Sequence, residues 1–322
     1  MAVLNAADRL TALEAVKRTG QPWPNRIIEC LTQTNEILMD MPVMEANNGT
    51  LHTMVRRKAL AQSSARRYYE GTPTVATQTD TVTEYTQMWQ AISNVDASLA
   101  DHTGDAAAFR KTEAVGILNG MGIQQARDLI YGSRQQQGGL DIDGFAARLA
   151  KLDNKTVFDA GGTGSDLTSL YIAALGERFL HLIYPRGFGT VGVRQSDDGR
   201  RLVTDATGKN EFFVYTTVFE SQYGIALEDP RSLIRIANIA ADTDPEELIL
   251  LILKILRRLP NGAATYALYG NFTVRDIIEK AAIEKNNVIY STEDPWGRPL
   301  TMLRNLRVRT VEAILDTEAR IT

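Results

Sequence analysis

One segment limits what this chain can fold into more than any other. Residues 45–87 contain no Ile, Phe or Trp, although 44% of the whole chain is hydrophobic. Residues 72–86 hold seven threonines, Thr72, Thr74, Thr77, Thr79, Thr81, Thr83 and Thr86, several alternating with Gln78, Asp80, Val82 and Glu84. Threonine favours extended backbone, and the period of two predicts a strand. Residues 52–70 are long enough to pair with it across residues 71–76 as a hairpin. High β-propensity with little Pro and Gly argues against disorder. An arm of about 19 residues could reach roughly 60 Å at about 3.3 Å per residue. A compact domain of 322 residues has a radius of gyration of only about 20 Å. A two-stranded ribbon of that length, with so little apolar surface, is not stable alone in water. Its resting place is expected to be another subunit.

The charges of the two arms are opposed. Residues 52–70 carry Arg56, Arg57, Lys58, Arg66 and Arg67 against Glu70, a net +4. Residues 77–105 carry Asp80, Glu84, Asp96, Asp101 and Asp105 with no Lys or Arg, a net −5. Such arms can attract each other or dock on oppositely charged neighbours. Arg56, Arg57, Lys58, Arg66, Arg67, Asp80 and Glu84 are therefore the candidate inter-subunit contacts. Tyr68 and Tyr69 beside the arginines give the chain a nucleic-acid-like signal, but the acidic arm favours protein contact. The chain has 26 Arg against 9 Lys at a net charge of −4. Interface use of the planar guanidinium and GC-rich codon usage both explain that ratio. A mildly acidic chain is ill suited to coating nucleic acid.

Elsewhere the pattern is mixed. The first forty residues predict two helical stretches around a Gly/Pro break at 20–24, too small to hold their own core. A long helix is expected over 105–131, capped by Thr103 or Asp105, with Val115, Leu118, Met121, Gly122, Ala126 and Leu129 on one face. Gly116, Gly120 and Gly122 each cost about 1 kcal/mol there. The pattern resumes in phase beyond them, which favours a close-lying neighbour over a break. Strands are expected at 169–175, 179–184, 212–219 and 233–239. A helix capped by Asp244 starts at Pro245 and, being apolar on every side at 248–253, should be buried. Another opens with capping-box spacing at Thr273, and 303–314 returns to extended character. The sum is α+β without the βα rhythm of a doubly wound sheet.

The chemistry-bearing motifs do not survive inspection. No stretch nears 18 apolar residues, and the mixed charges of the first eighteen residues argue against an export signal. Cys30 stands alone, and three histidines (His52, His102, His181) leave little for His-based catalysis or zinc. The glycines of 161–164 lack the third glycine and following helix of a dinucleotide fingerprint, so a strand-to-strand turn is expected. Gly208-Lys209 lacks the P-loop surroundings, and 242–247 reads as a helix start rather than a cation loop. Asp101-His102 has no adjacent nucleophile. His181, in an apolar run, is expected to be a satisfied core histidine. No catalytic, cofactor or metal residues are assigned, and no enzyme activity is expected. A hydrolase or nucleotide-binding enzyme stays as the rival of a different class.

The order of elements, together with the words LTQTNEIL (31–38), AFRKTEA (108–114), LIYG (129–132), DAGGTGSD (159–166), YPRG (184–187), RIANI (235–239) and LDTEAR (315–320), resembles the major capsid proteins of tailed bacteriophages. The fold implied is Hong Kong 97-like, nearest to the short-tailed, epsilon-fifteen-like branch. The resemblance implies an N-arm (1–42), an extended β-hairpin loop (43–104), a peripheral domain with a spine helix (105–156), a mainly axial domain with some peripheral strands (157–300), and a C-terminal strand returning to the peripheral domain (301–322). It implies self-assembly as pentamers and hexamers into an icosahedral shell around double-stranded DNA, bound non-specifically on the inner face. A portal protein at one vertex and an optional decoration or cement protein are the other partners, with no membrane. The chain reaches its N-arm at once, so a separate scaffolding protein is expected. The location implied is the virion, assembled in the bacterial cytoplasm. An encapsulin-type compartment shares the fold and is the nearer alternative.

Overall fold

The computed structural model describes residues 36–102, 106–135, 141–188, 192–204, 209–262, 265–284, 290–292, 301–303 and 306–322. Its helices are α1 (Glu36–Asp40), α2 (Ala97–His102), α3 (Ala106–Tyr131), α4 (Phe145–Arg148), α5 (Pro245–Leu256) and α6 (Phe272–Glu284). Its strands are β1 (Val43–Glu45), β2 (Leu51–Ala59), β3 (Gln78–Asp96), β4 (Val157–Asp159), β5 (Thr168–Leu175), β6 (Leu180–Tyr184), β7 (Val193–Thr204), β8 (Glu211–Leu227), β9 (Leu233–Ile239), β10 (Thr265–Gly270), β11 (Tyr290–Thr292), β12 (Thr301–Leu303) and β13 (Leu306–Thr310). Of the expected N-terminal helices only the end of the second is described, as α1 with Ile37 and Leu38 buried; Cys30 and the Thr103 or Asp105 cap lie outside the described residues.

The threonine-rich strand is real, and longer than its pattern: β3 has 19 residues and serves two partners. Its first part pairs antiparallel with β2, from Leu51↔Tyr85 to Ala59↔Gln78. Its second part, from Thr86 to Asp96, pairs antiparallel with β8 inside the body of the subunit. The ladder therefore does not extend to Glu70 as expected: residues 60–77 form no strand. The physical reason is composition. Residues 59–65 read Ala-Leu-Ala-Gln-Ser-Ser-Ala, small side chains that gain little from cross-strand packing.

β7 escaped the sequence reading because it is a charged edge. It forms a second long antiparallel pair with β8, from Val193↔Ser221 to Thr204↔Glu211, yet only its ends are buried. Arg194, Asp197, Asp198, Arg200 and Arg201 along this edge strand discourage pairing with foreign strands and erase the apolar alternation that would reveal it.

Helix α3 runs unbroken through its glycines. Among the described residues, the close neighbour expected is not found at two of them, where a Cβ added at Gly116 or Gly120 would meet nothing within 4 Å, while Gly122 is buried. The buried face includes Leu118, Gly122, Ala126 and Leu129 as expected, with Met121 packed at its border and Ala114 and Ile130 added, but Val115 is exposed. This face shares one core with Trp89, Phe145, Tyr171, Phe219 and Tyr269. A second core lies where α5 and α6 cover β5, β9 and β10 through Leu248, Ile252, Ile255, Val274 and Ile278. Asp244 caps α5 as expected, its side chain accepting from Glu246 N–H at 3.0 Å. The helix is not buried all round, because one sheet face covers only one side and Leu250 is 62% exposed. The cap of α6 is Asn271, whose side-chain oxygen accepts from Val274 N–H at 3.0 Å, rather than Thr273. No described helix is long and apolar enough to cross a membrane.

Candidate inter-subunit site at the extended loop

Alternation along β2 decides what the loop root buries. His52, Met54 and Arg56 point inward, and Met54 packs on Ile183, Ala226 and Val82. The Arg56 guanidinium donates to the Leu227 carbonyl, and in the ladder Arg56 stands opposite Asp80. Burial lowers the Arg56 pKa from the ordinary arginine value, with Glu84 opposing the shift. Arg57, Lys58 and Asp80 are exposed. They border, with Arg56, Arg178, Glu228, Asp229 and Arg231, a groove of about 670 Å³. Asp229 is held by Arg231 at 2.7 Å, which leaves the groove an excess of cations.

Beyond β2 the chain is bare. Residues 59–80 are exposed without exception, including Leu60, Val75, Tyr68 at 93% and Tyr69 at 105%. A turn closes the tip: Glu70 N–H donates to Arg67 O at 3.2 Å, and Arg67 N–H donates to a Glu70 carboxylate oxygen at 3.1 Å. Arg66 donates to the Glu70 carbonyl at 3.1 Å, so both arginines belong to the tip rather than to a strand.

Glu84 has a different place from the other six candidates. It is buried, and Arg148 of α4 grips its two oxygens at 2.6 and 2.7 Å. That bidentate pair ties the loop to the body. Its partner is internal, while the other acidic candidate, Asp80, faces out.

Two buried clusters went unnoticed in the sequence. In the first, Arg235 of β9 donates to Glu318 at 2.9 Å, to Ser169 Oγ at 2.9 Å and to the Leu149 carbonyl at 3.0 Å. Glu318 also accepts from Ser169 Oγ and from Tyr131 OH. Burial, and then the bond to Glu318, raise the Tyr131 pKa. The network joins β9, β5, α3 and the C-terminal tail. An arginine inside the apolar run Leu233–Ile239 was the available signal.

In the second, His52 and His181 meet edge to face with ring centroids 5.8 Å apart. His181 lies in the core as expected, but neither ring nitrogen, nor His52 Nδ1, makes a well-formed hydrogen bond, while a backbone contact at Gly176 acts on the His181 ring. A buried unpaired polar group costs about 1–3 kcal/mol. Burial first, and then His52, hold the His181 pKa down at about 4, so the ring is neutral at neutral pH. The glycine motif forms the turn expected of it. Gly161 has φ +88° and donates its N–H to Asp159 Oδ1 at 2.9 Å, joining β4 toward β5 with no helix between.

Comparison with known proteins agrees with this architecture. The structure of bacteriophage Epsilon15 superposes with a TM-score of 0.69 over 100% of both chains, at 26% identity. The bacteriophage JBD30 capsid is similar at TM-score 0.48 and 10% identity, over 97% of this chain and 99% of that one. The SrpI encapsulin of Synechococcus elongatus reaches 0.41 at 8% identity, over 74% of this chain and 96% of its own. No curated protein sequence matches significantly. The fold is the Hong Kong 97-like α+β fold of phage capsids. The profile of the major capsid protein GP7 family matches residues 19–322, and the chain belongs to that family: it is a shell-forming capsid protein of a bacteriophage virion.

Proposed function

We propose that the chain assembles as pentamers and hexamers into an icosahedral shell enclosing double-stranded DNA, in the host cytoplasm and with a separate scaffolding protein. A portal at one vertex and an optional decoration protein complete its partners, and it carries out no catalysis of its own. The observation that carries the reading is the loop. Residues 60–77 present two tyrosines, a leucine and two arginines to solvent and make no strand with their own chain. A folded subunit gains nothing from such a segment, whereas a neighbouring copy can cover it.

In this reading 1–42 is the N-arm, 43–104 the extended loop, 105–156 peripheral with α3 as spine, 157–300 mainly axial, and 301–322 the returning strand. Arg56, Arg57, Lys58, Arg66, Arg67 and Asp80 are the contacts between copies, and Glu84 supports them through Arg148. Exposed pairs contribute only about 0–1 kcal/mol each, but repetition over many copies makes small terms decisive.

The test is electron microscopy of particles formed by the expressed chain and by the Arg66→Glu/Arg67→Glu variant. The wild type should close into shells whose phage-derived form protects DNA from nuclease. The variant should give folded, soluble subunits without normal shells, and Arg66→Lys/Arg67→Lys should assemble with greater salt sensitivity. Normal particles at wild-type yield from the double Glu variant would remove these arginines from the interface. Protected enzyme cargo in place of DNA would favour a compartment.

A further inference from the structure

We propose that His52, His181 and Glu228 form a binding site for a divalent transition metal of the zinc class, which clasps the root of the extended loop to the body of the subunit. One donor atom from each residue lies within 4.8 Å of the others. The three come from separate places in the chain: β2, β6 and the residue that follows β8. Pairing of β6 with β8 sets His181 opposite Ala226, two residues before Glu228. The packing of Met54 on Ile183 and Ala226 then lowers β2, and with it His52, onto that pair.

The unpartnered nitrogens supply an independent reason. His181 is 0% exposed and His52 9% exposed, and three of their four ring nitrogens are buried without a well-formed hydrogen bond. Buried polar atoms are nearly always paired, and a metal ion would use the lone pairs that no protein donor reaches here. The donor set decides the class. Two imidazoles and one carboxylate suit zinc and its neighbours, whereas calcium and magnesium take oxygen ligands. A tetrahedral ion with bonds of about 2.0–2.1 Å holds its donors roughly 3.4 Å apart, so a small rotation of the side chains closes the site and leaves a fourth position to water. Arg56 and Arg178 line the groove that Glu228 borders.

The role that follows is positional, with β2 fixed against β6 and β8 where residues 60–77 begin to project. It holds for the single subunit and does not depend on shell assembly. The experiment titrates Co²⁺, then Zn²⁺, into the full chain after EDTA treatment, with visible absorption and thermal unfolding as readouts. One equivalent per chain should bind, with the visible bands of a tetrahedral cobalt site, and the midpoint should rise by several degrees. His181→Ala opens the core and can unfold it, so Glu228→Gln and His52→Gln are the decisive variants. Each should keep the metal-free midpoint and weaken Co²⁺ binding by at least about tenfold, since even outer-shell changes cost that much. Absence of saturable binding by the wild type, or undiminished binding in either variant, overturns the proposal.

Discussion

Replacing Glu318 by alanine should be among the most damaging single changes outside the hydrophobic core. The side chains of Arg235 and Glu318 are only 5% and 8% exposed, and their charges meet at 2.9 Å. Removing the carboxylate leaves the Arg235 guanidinium buried with Ser169 Oγ and the Leu149 carbonyl as its hydrogen-bond acceptors, both neutral. It also takes away the acceptor of Tyr131 OH and of Ser169 Oγ. Breaking a buried ion pair from one side costs about 3–5 kcal/mol, far more than the pair is worth against an apolar replacement. Unfolding entropy scales at about 2.1 cal/mol/K per residue, so for 322 residues that loss lowers Tm by roughly 4–7 °C. Urea unfolding of unassembled subunits, followed by tryptophan fluorescence, measures the free energy directly. Glu318→Gln, which keeps an acceptor but no charge, should fall between. A change under about 1 kcal/mol for Glu318→Ala, with the tail still docked, would refute the assignment of Arg235 as a charge held by this carboxylate.

Glu84→Ala should destabilise the subunit by about 3 kcal/mol, because Arg148 is then left largely buried without its carboxylate; hydrogen exchange should quicken along β2 and the first part of β3. Gly116→Ala and Gly120→Ala should each stabilise the isolated subunit by up to about 1 kcal/mol, since an added Cβ meets nothing within 4 Å and helix propensity rises. Loss of shells at raised subunit stability would then locate a close approach between copies at α3. Asp153 is raised by burial but pulled down more strongly by bonds from the Val157, Lys155 and Thr156 N–H groups, to about 2. Its folded pKa lies below its unfolded one, so its contribution is complete above about pH 4. It should disappear as the pH falls from about 4 to 2, seen as faster exchange of those three amides, and Asp153→Asn should abolish that step.

Local chemistry made much of the fold readable. β9 lies where the apolar run predicts it, and the start of α5 follows from Asp244 and Pro245, because in each case one short-range rule agrees with the tertiary environment. The misses arise where local and global demands part. β7 was invisible because an edge strand is best kept charged. The hairpin was drawn too long because period two in β3 marks a strand without saying how far its partner extends, and the mostly small residues of 59–65 give that partner little to pack. The histidine pair was beyond reach for another reason: His52 and His181 are 129 positions apart, and only the folding of β2 over β6 brings them together.

The remaining errors share a cause, and it bears on how such chains should be read. Apolar or small residues on a predicted helix face were expected to be covered, and the structure leaves Val115, Leu250 and the open side of Gly116 and Gly120 facing outward. Hydrophobic patterning reports that a surface is kept from water, not which chain covers it. In a monomeric protein those two statements coincide, because a contiguous apolar patch left in solvent invites aggregation. In a protein whose working form is a shell of many copies they separate, and the difference between patterned burial and burial within one subunit becomes a map of where copies should meet. The loop tip fits the same logic from the opposite side. Its sequence has too little apolar surface to predict a core, yet Tyr68 and Tyr69 stand almost wholly in solvent. Tyrosine combines a large apolar face with a polar end, which suits it to contacts that must form after folding and remain soluble before it.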